Sequence, residues 1–204
     1  MRISSHAWPF AALAAAATLG LAIWVHWAAA IPAGVFLLFT LWFFRDPERD
    51  VPQDEGLLVS PADGTVIRAR PDKISIFMSV FNVHVCRAPA TGRVLSVEHH
   101  PGRFLAAWKD EAAEQNERVV VDLDVEGYVV RFTLVAGLVA RRILCSLQPG
   151  QMLERGERIG LIRFGSRVDV QLPDGWVAGV KLRQRMTSGT TPIASAQPVT
   201  PAGP

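Results

Sequence analysis

Hydrophobic and polar positions along this chain follow two different rules. Between Ala7 and Phe44 apolar residues run almost unbroken, with no Asp, Glu, Lys or Arg and with His26 as the only titratable side chain. From Leu57 onward, short runs such as TVIRAR, NVHVCR, RVVVDLDV, YVVRFTLV and RVDVQL are rich in Val and Ile, alternate in polarity, and are separated by Gly, Pro or Asp. A helix with no charge on any face has no solvent side, which sets the front apart. The remainder carries the period of two that belongs to half-buried strands.

The front predicts a helical hairpin. About 20 apolar residues cross a hydrocarbon layer of ~30 Å, and the stretch from Trp8 to about Ala30 has that length. The next run, Ala33 to Phe44, reaches only about 18 Å at ~1.5 Å per residue, so a turn near Pro32 and a shorter returning helix are expected. Trp8, Trp24, Trp27 and Trp42 suit a membrane interface, and His26 reads as an interfacial or helix-packing residue. A cleaved secretory signal is the competing reading, given Arg2 and the small residues Ala28 to Ala30, but cutting there leaves a second apolar run exposed. Arg45 and Arg49 end the apolar region and favour the cytoplasmic side of the inner membrane for the rest of the chain.

The body predicts an all-β sandwich or barrel-like fold, since short strands recur with turn residues between them. Glu126-Gly127 reads as a hairpin turn, and Phe104 to Asn116 as a short helix or ordered loop. The resulting organisation is a membrane-associating segment at residues 1–50, a β-rich domain at 51–186, and a tail at 187–204 whose Ser, Thr, Pro, Gly and Ala content predicts disorder. With 50% hydrophobic residues, 20% charged and a net charge of +2, neither a wholly disordered chain nor a nucleic-acid surface fits. Cys86 and Cys145 lie in apolar runs without metal-ligand or disulfide spacing, and read as small buried hydrophobes.

Candidate chemistry centres on RFGSRVDVQLP, Arg163 to Pro173. Alone, Gly165-Ser166 is an ordinary turn or bulge dipeptide. Between two β runs it also sets an unhindered carbonyl beside a hydroxyl, the arrangement an N-to-O acyl shift requires. Ser166 Oγ would attack the Gly165 carbonyl, helped by a strained peptide, an oxyanion-stabilising donor and a base. SPADG holds Asp63 and VFNVHVCRAP holds His84. Taken singly these are a turn residue and a strand histidine; together with Ser166 they supply the parts of a triad. A serine hydrolase on the same residues lacks a GxSxG elbow. A membrane-tethered β-sandwich binding module, with Ser166 intact, stands as the non-enzymatic alternative.

Four segments stand in order, FFRDPER (Phe43 to Arg49), SPADG (Ser60 to Gly64), FMSVFNVHVCRAPATG (Phe77 to Gly92) and RFGSRVDVQLP, within a match that covers about Phe36 to Pro173. Together they resemble the short form of the phosphatidylserine decarboxylase proenzyme family. That resemblance implies self-cleavage between Gly165 and Ser166 into a β chain (1–165) and an α chain (166–204) that form a heterodimer, with room for a homo-oligomer. It implies that Ser166 becomes a pyruvoyl group, which makes a Schiff base with phosphatidylserine in the membrane and releases CO2 to give phosphatidylethanolamine. No metal, pyridoxal phosphate or nucleic acid is implied. His84 matches the general base of cleavage and Asp63 the residue that orients it, and His84 is the expected later proton donor. Longer bacterial relatives resemble a pattern with two histidines three apart, whereas this chain has Phe81 before His84. His99 and His100 read as loop or strand-end residues. A phosphate and a carboxylate need cations, for which Arg167 is the first expectation, with Arg87 and Arg163 beside the motifs.

Overall fold

The computed structural model describes residues 2–138, 142–163 and 165–196, and the chain divides into two compact units between Glu48 and Arg49. In the first unit, β1 (Arg2–Ile3) pairs antiparallel with β2 (Arg45–Asp46). Between them lie α1 (Trp8–Trp24), a 3-10 turn (Trp27–Ala30) and α2 (Ile31–Phe43). The expected hairpin is present, but the chain breaks at Val25 and His26 and not at Pro32. His26 adopts an extended backbone and its Nδ1 accepts the Ala28 N–H at 3.2 Å, capping the next turn. Pro32 sits in the first turn of α2, where its missing N–H has no intrahelical acceptor to lose. The helical stretch Ser5–Trp24 is 20 residues long and apolar enough to cross a membrane. Its inward side is small, Ala7, Ala11 and Ala14, while Leu13, Leu19, Ile23 and Trp24 are between 64% and 86% exposed.

The second unit is antiparallel β. Its strands are β3 (Leu57–Val59), β4 (Gly64–Ala69), β5 (Lys73–Met78), β6 (Val85–Arg87) and β7 (Gly92–His100), followed by a single helical turn, α3 (Ala112–Gln115). Then come β8 (Arg118–Val125), β9 (Tyr128–Val135), β10 (Ile143–Cys145), β11 (Met152–Leu153), β12 (Arg158–Ile162), β13 (Ser166–Gln171), β14 (Trp176–Ala178), β15 (Arg185–Met186) and β16 (Pro192–Ala196). One eight-stranded sheet runs β11-β7-β8-β9-β13-β5-β4-β15 and curls into a half-barrel; β10-β12-β6 and β14-β16-β3 form two smaller sheets. The period-two reading holds residue by residue in β8, where Val119, Val121, Leu123 and Val125 are buried and the residues between them are partly exposed. Glu126 and Gly127 have φ of +53° and +87°, the left-handed pair that closes a two-residue hairpin between β8 and β9.

Phe104 to Asn116 is an ordered loop with one helical turn. Buried Asn116 pins it, accepting from the Leu105 N–H and donating to the carbonyls of Leu105 and Ala136, each at 2.8 Å. The tail departs from its expected disorder. After a turn at 187–191, Pro192–Ala196 is strand, with β16 between β14 and β3 and with Ile193 and Ala194 buried. Its weak intrinsic propensity is overridden by pairing on both edges, with Pro192 opening the strand where proline is tolerated. Residues 197–204 lie outside the described part.

Candidate active site

Three strand ends and one turn build the site. The chain leaves the small sheet at Ile162, the last residue of β12, and enters the large sheet at Ser166, the first residue of β13. Gly165 makes this crossover with φ +69°, and nothing lies within 4 Å of where a Cβ would be. Conformation therefore selects glycine here, since an L side chain in the left-handed region costs about 1–2 kcal/mol. If attack on the Gly165 carbonyl needs the left-handed backbone and an Ala chain relaxes out of it before cutting, Gly165→Ala is expected to slow any processing of this bond about five- to thirtyfold, read as the half-time of cutting on a denaturing gel. An unchanged half-time removes backbone conformation from the argument.

Ser166 is fully buried and shares the inward face with Val168 and Val170. Its Oγ donates to Met78 Sδ at 3.8 Å, across the β13–β5 register. Thioether sulfur is a weak acceptor, so this contact holds the hydroxyl only loosely.

His84, also fully buried, precedes β6. Its carbonyl accepts the Ile162 N–H at 3.3 Å, which places it beside the end of β12, four residues before Ser166 in sequence. Its Nδ1 lies 2.9 Å from the Asn82 carbonyl oxygen. A carbonyl only accepts, so Nδ1 carries the hydrogen, and in the neutral form of such a ring the lone pair lies on Nε2. Asn82 in turn closes the turn after β5, its Oδ1 accepting from the N–H and hydroxyl of Ser79, each at 2.8 Å.

Asp63 precedes β4. Its carboxylate takes Arg49 Nη2 at 2.8 and 3.0 Å, and Oδ1 accepts the Ser188 N–H at 2.7 Å. Both side chains of the ion pair are less than 20% exposed. Asp63 thus ties Arg49 to the turn before β16, whereas the imidazole Nδ1 lies against a backbone carbonyl. Gly64 follows because a Cβ there would sit 2.2 Å from the Phe77 carbonyl oxygen. A cleft of about 470 Å³ opens over this group, lined among others by Asp63, Ser79, Phe81, Asn82, Arg185 and Thr187.

The cations expected at the substrate are placed differently. Strand alternation turns Arg167 to the face opposite Ser166. There it is buried, with Nε and Nη2 on Asp169 at 2.5 and 2.9 Å, Nη2 on Ser75 Oγ at 3.0 Å, and Nη1 on the Lys109 carbonyl at 3.2 Å. Arg87 is buried as well; its Nη1 donates to the Gly156 carbonyl at 2.9 Å, and its stem packs under Gly189, in the turn that offers the Ser188 N–H to Asp63. Burial, then neighbouring Arg142, lowers the pKa of Arg163. His99 and His100 stand on β7, His100 beside Glu98. Among the described residues the cation lining the cleft is Arg185, brought there by the pairing Arg185↔Thr65. Sequence reasoning passed over it, along with Arg49, Asn82 and Ser188. Arg49 lies inside FFRDPER and Asn82 inside FMSVFNVHVCRAPATG, but nothing local marks Arg185 or Ser188.

A family model described as phosphatidylserine decarboxylase matches residues 36–194. Among curated proteins, the phosphatidylserine decarboxylase proenzyme of Symbiobacterium thermophilum is 45% identical over 204 aligned residues, covering 94% of each chain. That of Streptomyces griseus is 49% identical, covering 82% of this chain and 80% of its own. That of Chlorobium phaeovibrioides is 44% identical, covering 81% and 82%. The matched stretch takes in Arg49, Asp63, His84, Gly165, Ser166 and Ser188, every strand end that builds the site, and by that measure the chain belongs to the phosphatidylserine decarboxylase family.

Proposed function

We propose that this chain is a phosphatidylserine decarboxylase precursor that cuts itself between Gly165 and Ser166. The observation that carries the reading is the bond itself: a left-handed glycine followed by a buried serine, where the chain crosses between sheets. In the first step His84 Nε2 takes the Ser166 Oγ proton as the oxygen attacks the Gly165 carbonyl carbon. The C–N bond breaks, leaving an ester and a free amine at residue 166. Loss of the residue 166 Cα proton then breaks the Cβ–O bond, releasing Gly165 as a carboxylate, and water replaces ammonia to leave a ketone. The triad logic is kept with one change, Asn82 in the orienting place given to Asp63 by analogy.

The surroundings fit such a group. β13 is paired on both edges, with β5 and β9, so a new chain start at 166 stays in place after the cut. The α chain also supplies β15 against β4 and β16 against β3, which supports a stable heterodimer of residues 1–165 and 166–204. A pyruvoyl group at 166 supplies an electrophilic carbonyl that takes up the substrate amine and accepts the electron pair left as CO2 departs. Asp63 holds Arg49 and the 188 turn at the cleft, and Arg185 is the cation for a headgroup phosphate or carboxylate. Arg87 acts as a positioning residue beneath that turn, and Arg167 is not assigned to the substrate. The uncovered apolar face of α1 supports anchoring in the membrane that holds the lipid, and Arg45 and Arg49 support the cytoplasmic side of the inner membrane.

Mass spectrometry of the purified protein tests the reading. Two fragments are expected, the smaller one lighter by one ammonia than a chain beginning with intact Ser166, together with CO2 release from phosphatidylserine. A fully active, uncut chain overturns it.

A further inference from the structure

We propose that the face of the eight-stranded sheet turned away from Ser166 carries a second site, for a phosphate group, built by Arg68, Arg70, Lys73 and Arg167. This inference does not rest on the decarboxylase reading. The four cations come from adjacent strands β4, β5 and β13, or the turn between the first two, and line a cavity of about 260 Å³ with Asp110 and Glu114 at its rim.

The charge balance there is uneven. Asp169 is the buried carboxylate of the cluster, and it serves both Arg167 and Lys73, whose Nζ is 3.1 Å from Oδ2. Among the described residues the ion pair of Arg68 is with Asp110, whose side chain is 80% exposed on the covering loop, while the buried Asp169 acts on Arg68 through space. Among the described residues the buried Arg68 Nη1 has no hydrogen-bond acceptor. Burial, then the neighbouring Arg167, hold the Arg68 guanidinium below its ordinary pKa, with Asp169 opposing them in part. An unsatisfied donor of this kind is costly away from water.

A phosphate answers each of these. Its oxygens accept from guanidinium forks and from an ammonium at once. The donors are carried by strands and are already in place, so little ordering is needed on binding. Asp110, solvated at the rim, leaves Arg68 as the phosphate arrives. The group has two sources, a soluble phosphate or an anionic lipid headgroup.

Thermal unfolding of the full chain in uncharged detergent tests the site. The probes are inorganic phosphate and monomeric dihexanoyl phosphatidic acid, against sodium chloride at equal ionic strength. At about ten times Kd a bound phosphate is expected to raise Tm by roughly 3 °C. The shift is expected to vanish in Arg68→Ala/Arg70→Ala and to persist in Arg185→Ala, whose cation lies in the cleft. A response to inorganic phosphate assigns a soluble ligand, and a response to the lipid alone assigns a headgroup. If the double variant does not fold, Arg70→Ala, an exposed position, is read by 31P line broadening, expected to weaken at least threefold. No shift with either probe, an unchanged shift in the double variant, or its loss in Arg185→Ala overturns the proposal. Ser166→Ala should keep the shift in full, so failure of self-cleavage and failure of this site are told apart.

Discussion

Ser166→Ala is expected to give one uncut band on a denaturing gel and no measurable CO2 release from phosphatidylserine. The substitution deletes the oxygen that attacks Gly165 in the proposed first step and departs with it in the elimination, without which no ketone forms at residue 166, so both readouts fall together. Misfolding is not a competing explanation. Residue 166 is fully buried on the apolar face beside Met78, a setting in which Ala is at home, and the lost contact is a weak hydroxyl-to-sulfur bond. The six register pairs of β13 with β5 are made by backbone and are unaffected. The variant should therefore unfold within a few degrees of the parent, and a clean pair of fragments from it would rule out Ser166 as the nucleophile.

His84 carries the second large effect. Removing a general base typically slows a step by about 10²–10⁴-fold, so a chain that cuts within minutes would take from hours to many days. His84→Ala also opens a void and leaves the Asn82 carbonyl without its Nδ1–H donor, which confounds folding with chemistry. His84→Gln separates the two, because its amide can donate to Asn82 while offering no base of comparable strength. The Gln variant is expected to be folded and uncut, and imidazole added to the Ala variant is expected to restore part of the cutting. Wild-type cutting by the Gln variant would move the base elsewhere.

What could be read along the chain was local. The alternation in β8 and β9, the Glu126-Gly127 turn and the uncharged apolar front each lie in one continuous stretch of chain, where side-chain period and backbone preference act directly. Gly165 and Ser166 stand out as candidates for the same reason, as neighbours whose proposed chemistry depends on adjacency. Even local reading slipped where two breakers competed: Pro32 marked the helix break by its reputation, while His26 made it by capping.

Other parts of the site depended on distance. Asp63 meets Ser188 across 125 residues, and Arg185 reaches the cleft only because β15 lies on β4. Arg167 sits next to Ser166 in the chain yet on the other side of the sheet, since consecutive strand side chains point apart. The amino-acid order by itself determined which segments are strand, which are apolar helix, and which peptide bond places a carbonyl beside a serine hydroxyl. Only the folded chain decided that a carbonyl orients His84, that Asp63 holds Arg49 and the 188 turn, and that the tail becomes β16. Those outcomes arise from pairing and burial between segments far apart in sequence, an energy no short window of residues contains.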